Sequence, residues 1–203
     1  MITFVIAAFI LAITPGPGLA YVVAKTVSGG RTEGLASCIG AAIGGLVHVL
    51  AAAFGLSLVI AKSAAAFNVV KFVGAAYLVF LGVRLLMRKH EATRAGDVAA
   101  QGFRHAMIEG VVVEAMNVKT ALFFLAFLPQ FVSPASEMTG QLALLGSICV
   151  ALNTLVDVVA VFTAERLLAS ESLRAARARL LTRVSGVTMI GLGAFLAAAK
   201  RHA

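Results

Sequence analysis

A chain of 203 residues with 61% hydrophobic and only 13% charged side chains lies far from the roughly 25% charge of soluble domains, which excludes a soluble globular fold for most of it. The formal net charge of +8 would raise nucleic-acid binding in a soluble protein, but the basic residues fall between long apolar blocks and mark membrane topology instead. The expected class is therefore all-α, a polytopic membrane helix bundle, because in lipid every backbone polar group must be satisfied within the span.

About 20 apolar residues cross a hydrocarbon core of about 30 Å as a helix. Residues 2–24 carry no charged side chain and form the first predicted span. No lysine or arginine precedes it and it exceeds the usual signal-peptide core, so it reads as a retained helix. Its middle holds Thr14, Pro15, Gly16, Pro17 and Gly18. Two prolines remove two backbone donors and clash with the preceding turn, so the helix must break or kink there. A broken helix in a membrane is tolerated where it is buried in protein or lines a polar cavity.

Residues 35–61 form the second span, with His48 as the only acidic or basic side chain inside it. Ala36, Gly40, Gly44, His48 and Ala52 recur every four residues and share one small-residue face suited to close helix contact. His48 on that face is either a packing residue or a proton-linked group. Residues 67–87 span if Lys71 and Arg84 extend their charges to the interfaces. Residues 110–132 hold Glu114, Asn117 and Lys119, and residues 141–164 hold Asn153, Thr154 and Asp157 as one polar stripe.

Glu114 and Lys119 are five apart and would not face each other on an unbroken helix. Either that helix is interrupted near Asn117 or each charge has a partner elsewhere, and an interfacial position for Glu114 is also open. An acid at the depth of Asp157 suits a proton or an ammonium ligand, or is neutralised by a base on a neighbouring helix. Residues 184–199 give a short sixth helix, since 16 residues cover only about 24 Å. Cys38 and Cys149 lie in separate spans without a C-x-x-C spacing and carry no redox signal.

Lys25, Arg31, Arg84, Arg88, Lys89, Arg94, Arg104, Arg166, Arg174, Arg177, Arg179 and Arg183 occupy alternate connections, 12 of the 17 basic side chains. The positive-inside rule puts those connections in the cytoplasm and, with about six spans, both termini outside. The chain reads as a single transmembrane domain, 1–203, without a separate soluble part. The polar stretch between about 88 and 103 separates two groups of three helices, 1–88 and 103–203, which would be inverted repeats if alike.

With these residues in place, the sequence resembles the lysine-exporter superfamily, and within it the homoserine, homoserine-lactone and threonine exporters. The resemblance runs over nearly the whole chain. It is carried by Thr14-Pro15-Gly16-Pro17, by Gly40, Gly44 and His48, by Gly74-Ala75-Ala76-Tyr77-Leu78 with Leu81-Gly82, and by Asn117-Val118-Lys119, Phe123-Phe124 and Pro129-Gln130-Phe131. Val118 stands where that family usually has proline, and Glu114 where it has an uncharged polar residue. The fourth span is accordingly expected to be less sharply broken than the first.

The resemblance implies a multi-pass protein of the bacterial inner membrane that exports amino acids or close derivatives by proton antiport. It implies no enzymatic activity, no cofactor and no nucleic-acid partner; the partners are a small amino-acid-like substrate, protons and the bilayer, with monomer and homodimer both open. Pro15, Gly16 and Pro17 are the expected backbone site, Asn117 and Lys119 the carboxylate-side contacts, and Asn153 a further substrate contact. Asp157, with Glu114 and His48, is the expected proton or cation site. Other readings are an intramembrane enzyme using Glu114, His48 and Asp157, which lacks a nucleophile or metal spacing, and a cation exporter of the same superfamily, for which soft or clustered ligands are few.

Overall fold

The computed structural model describes residues 2–56, 64–87, 100–133, 137–168 and 171–198, and every regular element in them is helical. Helix α1 (Ile2–Ile13) ends before Thr14, and α2 (Pro17–Leu50) starts three residues later. The expected interruption of the first span is thus present. Pro17 is the first residue of α2, where its missing N–H costs nothing because that donor has no intrahelical partner.

Helix α2 does not run straight. Gly30 has φ 71 and ψ −172, torsions that a side chain would strain. A methyl group on Gly34 would overlap the hydroxyl of Thr26, although eight residues of straight helix span about 12 Å. The chain therefore doubles back at Gly30, and residues 17–29 and 31–50 form a hairpin. A π-helical turn, Ala51–Leu56, extends the second leg.

Helix α3 (Ala64–Met87) follows, then α4 (Phe103–Ala115) and α5 (Val118–Leu122). A π-turn, Phe123–Phe127, and a 3-10 turn, Leu128–Phe131, prolong α5. Helices α6 (Met138–Leu168) and α7 (Glu171–Ala198) complete the bundle. Helix α2 packs most extensively on α4 and then α6, and α3 packs on α7.

The distribution of polarity identifies the solvent. Lys25 is fully buried and Glu114, Asn117, Lys119 and Asp157 nearly so, whereas Ile39, Ile43, Leu46 and Leu50 on α2 face outward. A water-soluble chain reverses that order; lipid permits it. Met138–Ala164 is long and apolar enough to cross a membrane, as is a stretch within Pro17–Gly55, and the pair Phe103–Ala115 and Val118–Phe131, bent by 41°, makes a third if it is one span. The chain is an integral membrane protein.

The small face of α2 lies where its four-residue spacing put it. Ala36, Gly40, Gly44, His48 and Ala52 are all buried. A Cβ on Gly40 would overlap the carbonyl oxygen of Met107, one on Gly44 would sit 2.6 Å from that of Val111, and one on Gly110 would sit 2.8 Å from that of Ser37. Backbones of α2 and α4 therefore touch without intervening side chains. Beside this contact, Phe123 stacks on Phe127 at 4.8 Å, and Phe127 meets Phe131 and Phe195 at 5.3 and 5.4 Å, in a core cluster that also holds Phe4 and Leu11.

Three expectations need correction. The last helix is not short: it begins at Glu171, because the basic stretch before Val184 continues the helix. The segment holding Lys25 is likewise helical and packed, so Lys25 is not a loop charge. The Lys71 side chain is not extended away from the bundle: it is buried, with its ammonium 5.1 Å from the Phe72 ring centroid. Of the basic residues used for topology, Arg88, Lys89 and Arg94 lie outside the described residues.

Candidate functional site: two interrupted helices around a buried cavity

Helix α4 stops at Ala115 and α5 starts at Val118, so the fourth span is interrupted even without proline. The cause is visible in side chains. Glu114 reaches forward over the gap: its Oε1 accepts from the Thr120 hydroxyl at 2.6 Å and its Oε2 from the Asn117 amide at 2.9 Å. Asn117 in turn caps α5, its Oδ1 accepting from the Lys119 N–H at 3.1 Å. The Glu114 carbonyl, freed at the end of α4, accepts from the Asn117 N–H at 3.0 Å and from His48 Nε2 at 2.9 Å.

The two departures from the family pattern thus explain each other. Proline at the first position of α5 would set the backbone torsion that begins the helix; here Glu114 holds the opening through hydrogen bonds. Glu114→Ala is therefore expected to let the break close and to lower transport severalfold, and adding Val118→Pro is expected to recover much of the loss. A double variant as inactive as Glu114→Ala alone would show that Glu114 acts by something other than holding the break.

The carbonyl end of α1 meets the same region. Lys119 Nζ donates to the carbonyl of Leu11 at 3.1 Å and to that of Thr14 at 2.8 Å, while the Thr14 hydroxyl donates to the Ile10 carbonyl at 2.6 Å. Gly16 lies directly over this lysine: a Cβ there would be 3.0 Å from Lys119 Cε.

Between the two breaks is a cavity of about 20 Å³, lined by Glu114, Asn117, Lys119, Thr120, Asn153 and Asp157 and by small residues including Ala41 and Gly45. That volume holds about one water and no amino acid, so this conformation is closed. Of the residues singled out in the sequence, Glu114, Asn117, Lys119, Asn153 and Asp157 meet on this cavity. Pro15, Gly16 and Pro17 form the break beside it without lining it, and His48 stands behind Glu114, its ring 5.9 Å from Phe124.

The polar groups are not equivalent. Asn153 and Thr154 spend donors on their own helix, on the carbonyls of Cys149 and Val150. Both carboxylate oxygens of Glu114 are occupied. Asp157 is buried on the cavity wall and forms no hydrogen bond or ion pair among the described residues.

A second polar cluster had no sequence signal. Lys25 Nζ sits 3.0 Å from Glu109 Oε2 and 2.7 Å from Gln101 Oε1, and the Tyr21 hydroxyl donates to Glu109 at 2.8 Å. Glu33 Oε1 accepts from the N–H groups of Gln101 and Gly102 at 2.9 and 2.6 Å. These partners are 68 to 88 residues apart in the chain, so no local spacing could reveal them. Glu109→Ala is expected to destabilise the fold by about 2 kcal/mol, below the range for a fully buried pair because Glu109 is 37% exposed. Lys25→Met is expected to cost less, since it leaves no charge buried. Equal losses in thermal unfolding would show that the pair carries no electrostatic part.

A helical bundle with an apolar exterior and a closed polar cavity between broken helices is the architecture of a membrane protein built to handle a polar solute. A family model described as LysE type translocator matches residues 9–200, and the chain belongs to that family. It is 30% identical over 142 residues to a leucine efflux protein of Enterobacter sp., covering 68% of this chain and 66% of that one. It is 31% identical over 208 residues to an uncharacterized membrane protein of Pseudomonas aeruginosa (97% and 94% covered) and 27% identical over 202 residues to one of Vibrio cholerae (98% and 97%). No solved structure matches it.

Proposed function

We propose that the protein exports small neutral amino acids or close derivatives, homoserine- or threonine-like or aliphatic, from the bacterial cytoplasm by proton antiport. In this reading it is a six-span protein of the inner membrane with its basic segments on the cytoplasmic side, and it catalyses no covalent reaction. The observation that carries the reading is the meeting of two interrupted helices at one buried cavity that holds two acids, a lysine and two amides. A zwitterion needs an acceptor set and a donor set at short separation in a dry site, and a broken helix supplies the first at its carbonyl end and the second at its amide end. The family and the leucine efflux relative support the same substrate class.

The roles divide as the contacts do. Asn117, Lys119 and the backbone at Pro15, Gly16 and Pro17 serve the substrate's charged ends, with Asn153 on the opposite wall. Asp157 takes the proton, because its carboxylate lines the cavity unclaimed by any donor among the described residues, while Glu114 and His48 are committed to holding the break. The antiport requirement is that proton and substrate occupy the cavity alternately.

Inside-out membrane vesicles test this directly. Energised vesicles with an acidic lumen are expected to accumulate labelled neutral amino acids when they contain the protein, and to release them when the gradient is collapsed. Equal accumulation with and without the protein, across the neutral amino acids, would refute the reading.

A further inference from the structure

The ammonium of Lys119 has two acids on its own cavity, Glu114 and Asp157, yet among the described residues it forms no ion pair with either. It binds carbonyls instead, those of Leu11 and Thr14. They lie at the carbonyl end of α1: the Leu11 carbonyl also accepts from the Thr14 N–H at 3.2 Å, and the Thr14 carbonyl stands just past the last residue of the helix, beyond the reach of its ladder. They carry the negative end of the helix dipole. An ammonium has three donors, and two are used here. The cavity beside it is too small for an amino acid, and Lys119 is one of the residues that line it.

We infer that the carbonyls of Leu11 and Thr14 form the substrate's ammonium site and that Lys119 is a tethered stand-in for that ammonium. The inference rests on the exporter reading and specifies its recognition step. An incoming amino acid takes the two carbonyls; the displaced lysine, hinged at α5, turns to the substrate's carboxylate. When the substrate leaves, the lysine returns. The exchange accounts for a buried lysine at a site that must also stand empty, because a carbonyl left without a donor in a membrane interior is costly. It also fits Gly16: a methyl group there would lie 3.0 to 3.2 Å from Lys119 Cδ, Cε and Nζ, tight enough to shift the end of the lysine by a few tenths of an ångström.

Competition for one site is read out best with half-substrates. Purified protein is titrated with a transported amino acid, with its amino-alcohol analogue, which keeps the ammonium and lacks the carboxylate, and with its deaminated acid, which does the reverse. Lys119→Met removes the competitor. The amino alcohol is expected to bind the variant on the order of tenfold more tightly than wild type, since a site occupied by its own lysine nine-tenths of the time loses about that factor in apparent affinity. The acid is expected to bind more weakly. Lys119→Gln, which keeps a donor for the carbonyls without the charge, is expected to move both affinities the same way and serves if the methionine variant does not fold. Unchanged or weaker amino-alcohol binding in the folded variants, with normal amino-acid binding to wild type, would overturn the stand-in role alone. Wild type that binds no amino acid would overturn the exporter reading with it.

Discussion

Asp157→Asn is expected to reduce uphill accumulation in energised vesicles to the level without a gradient, while exchange of labelled for unlabelled substrate continues. Asparagine matches aspartate in size and keeps a polar group on the cavity wall, but it cannot carry a proton across the membrane. Asp157 is 8% exposed and bonded to none of the described residues, so the change breaks no hydrogen bond and leaves no buried partner unsatisfied. The fold is therefore expected to persist, and the effect to be on coupling. Glu114 offers the contrast: its two oxygens hold Asn117 and Thr120, so its replacement disturbs structure first. Proton-driven accumulation at the wild-type level in Asp157→Asn would rule out this acid as the coupling group. Loss of exchange as well would make it a substrate ligand.

The second large effect is expected at Gly40. Its Cβ would overlap the Met107 carbonyl and lie 3.0 Å from the Gly110 Cα. Both are backbone atoms of α4 and cannot turn aside as a side chain would. Gly40→Ala must push α2 and α4 apart, and overpacking of this kind costs about 1–3 kcal/mol, with the upper end expected here. Gly40→Leu is expected to prevent accumulation of folded protein. The same separation would pull His48 from the Glu114 carbonyl and loosen the second break, so transport is expected to fall with stability. Ile39→Ala, one residue along on the outward face and 45% exposed, is the control and is expected to have little effect in detergent melts. A Gly40→Ala protein that melts with wild type would mean that the helices do not touch through backbone.

What was legible in the sequence followed from signals that act alone. Proline breaks a helix whatever surrounds it, so the interruption after Ile13 could be read directly, and four-residue spacing of small residues placed the face of Gly40, Gly44 and His48. The interruption at Asn117 depends instead on one side chain, Glu114, bridging two turns, and without proline at position 118 the residues left an interruption there as one of two alternatives. Lys119 was expected on the substrate's carboxylate and stands on the carbonyls of α1, more than 100 positions earlier; hydropathy says that such a charge needs a partner and not which one. The cluster of Lys25, Glu109 and Gln101 was invisible for the same reason. The fold-back at Gly30 falls within the connection expected between spans 2–24 and 35–61, in the run Ser28-Gly29-Gly30-Arg31; what could not be read there is that helix continues up to Gly30 from both sides.

The most direct test of the account is counterflow with the purified protein in liposomes. Vesicles loaded with an unlabelled neutral amino acid and diluted into a trace of the same labelled compound are expected to take up label transiently above equilibrium, and Pro15→Ala combined with Pro17→Ala is expected to abolish that overshoot by closing the first break. Absence of any overshoot across a panel of neutral and hydroxylated amino acids, from protein that melts cooperatively, would contradict the exporter assignment.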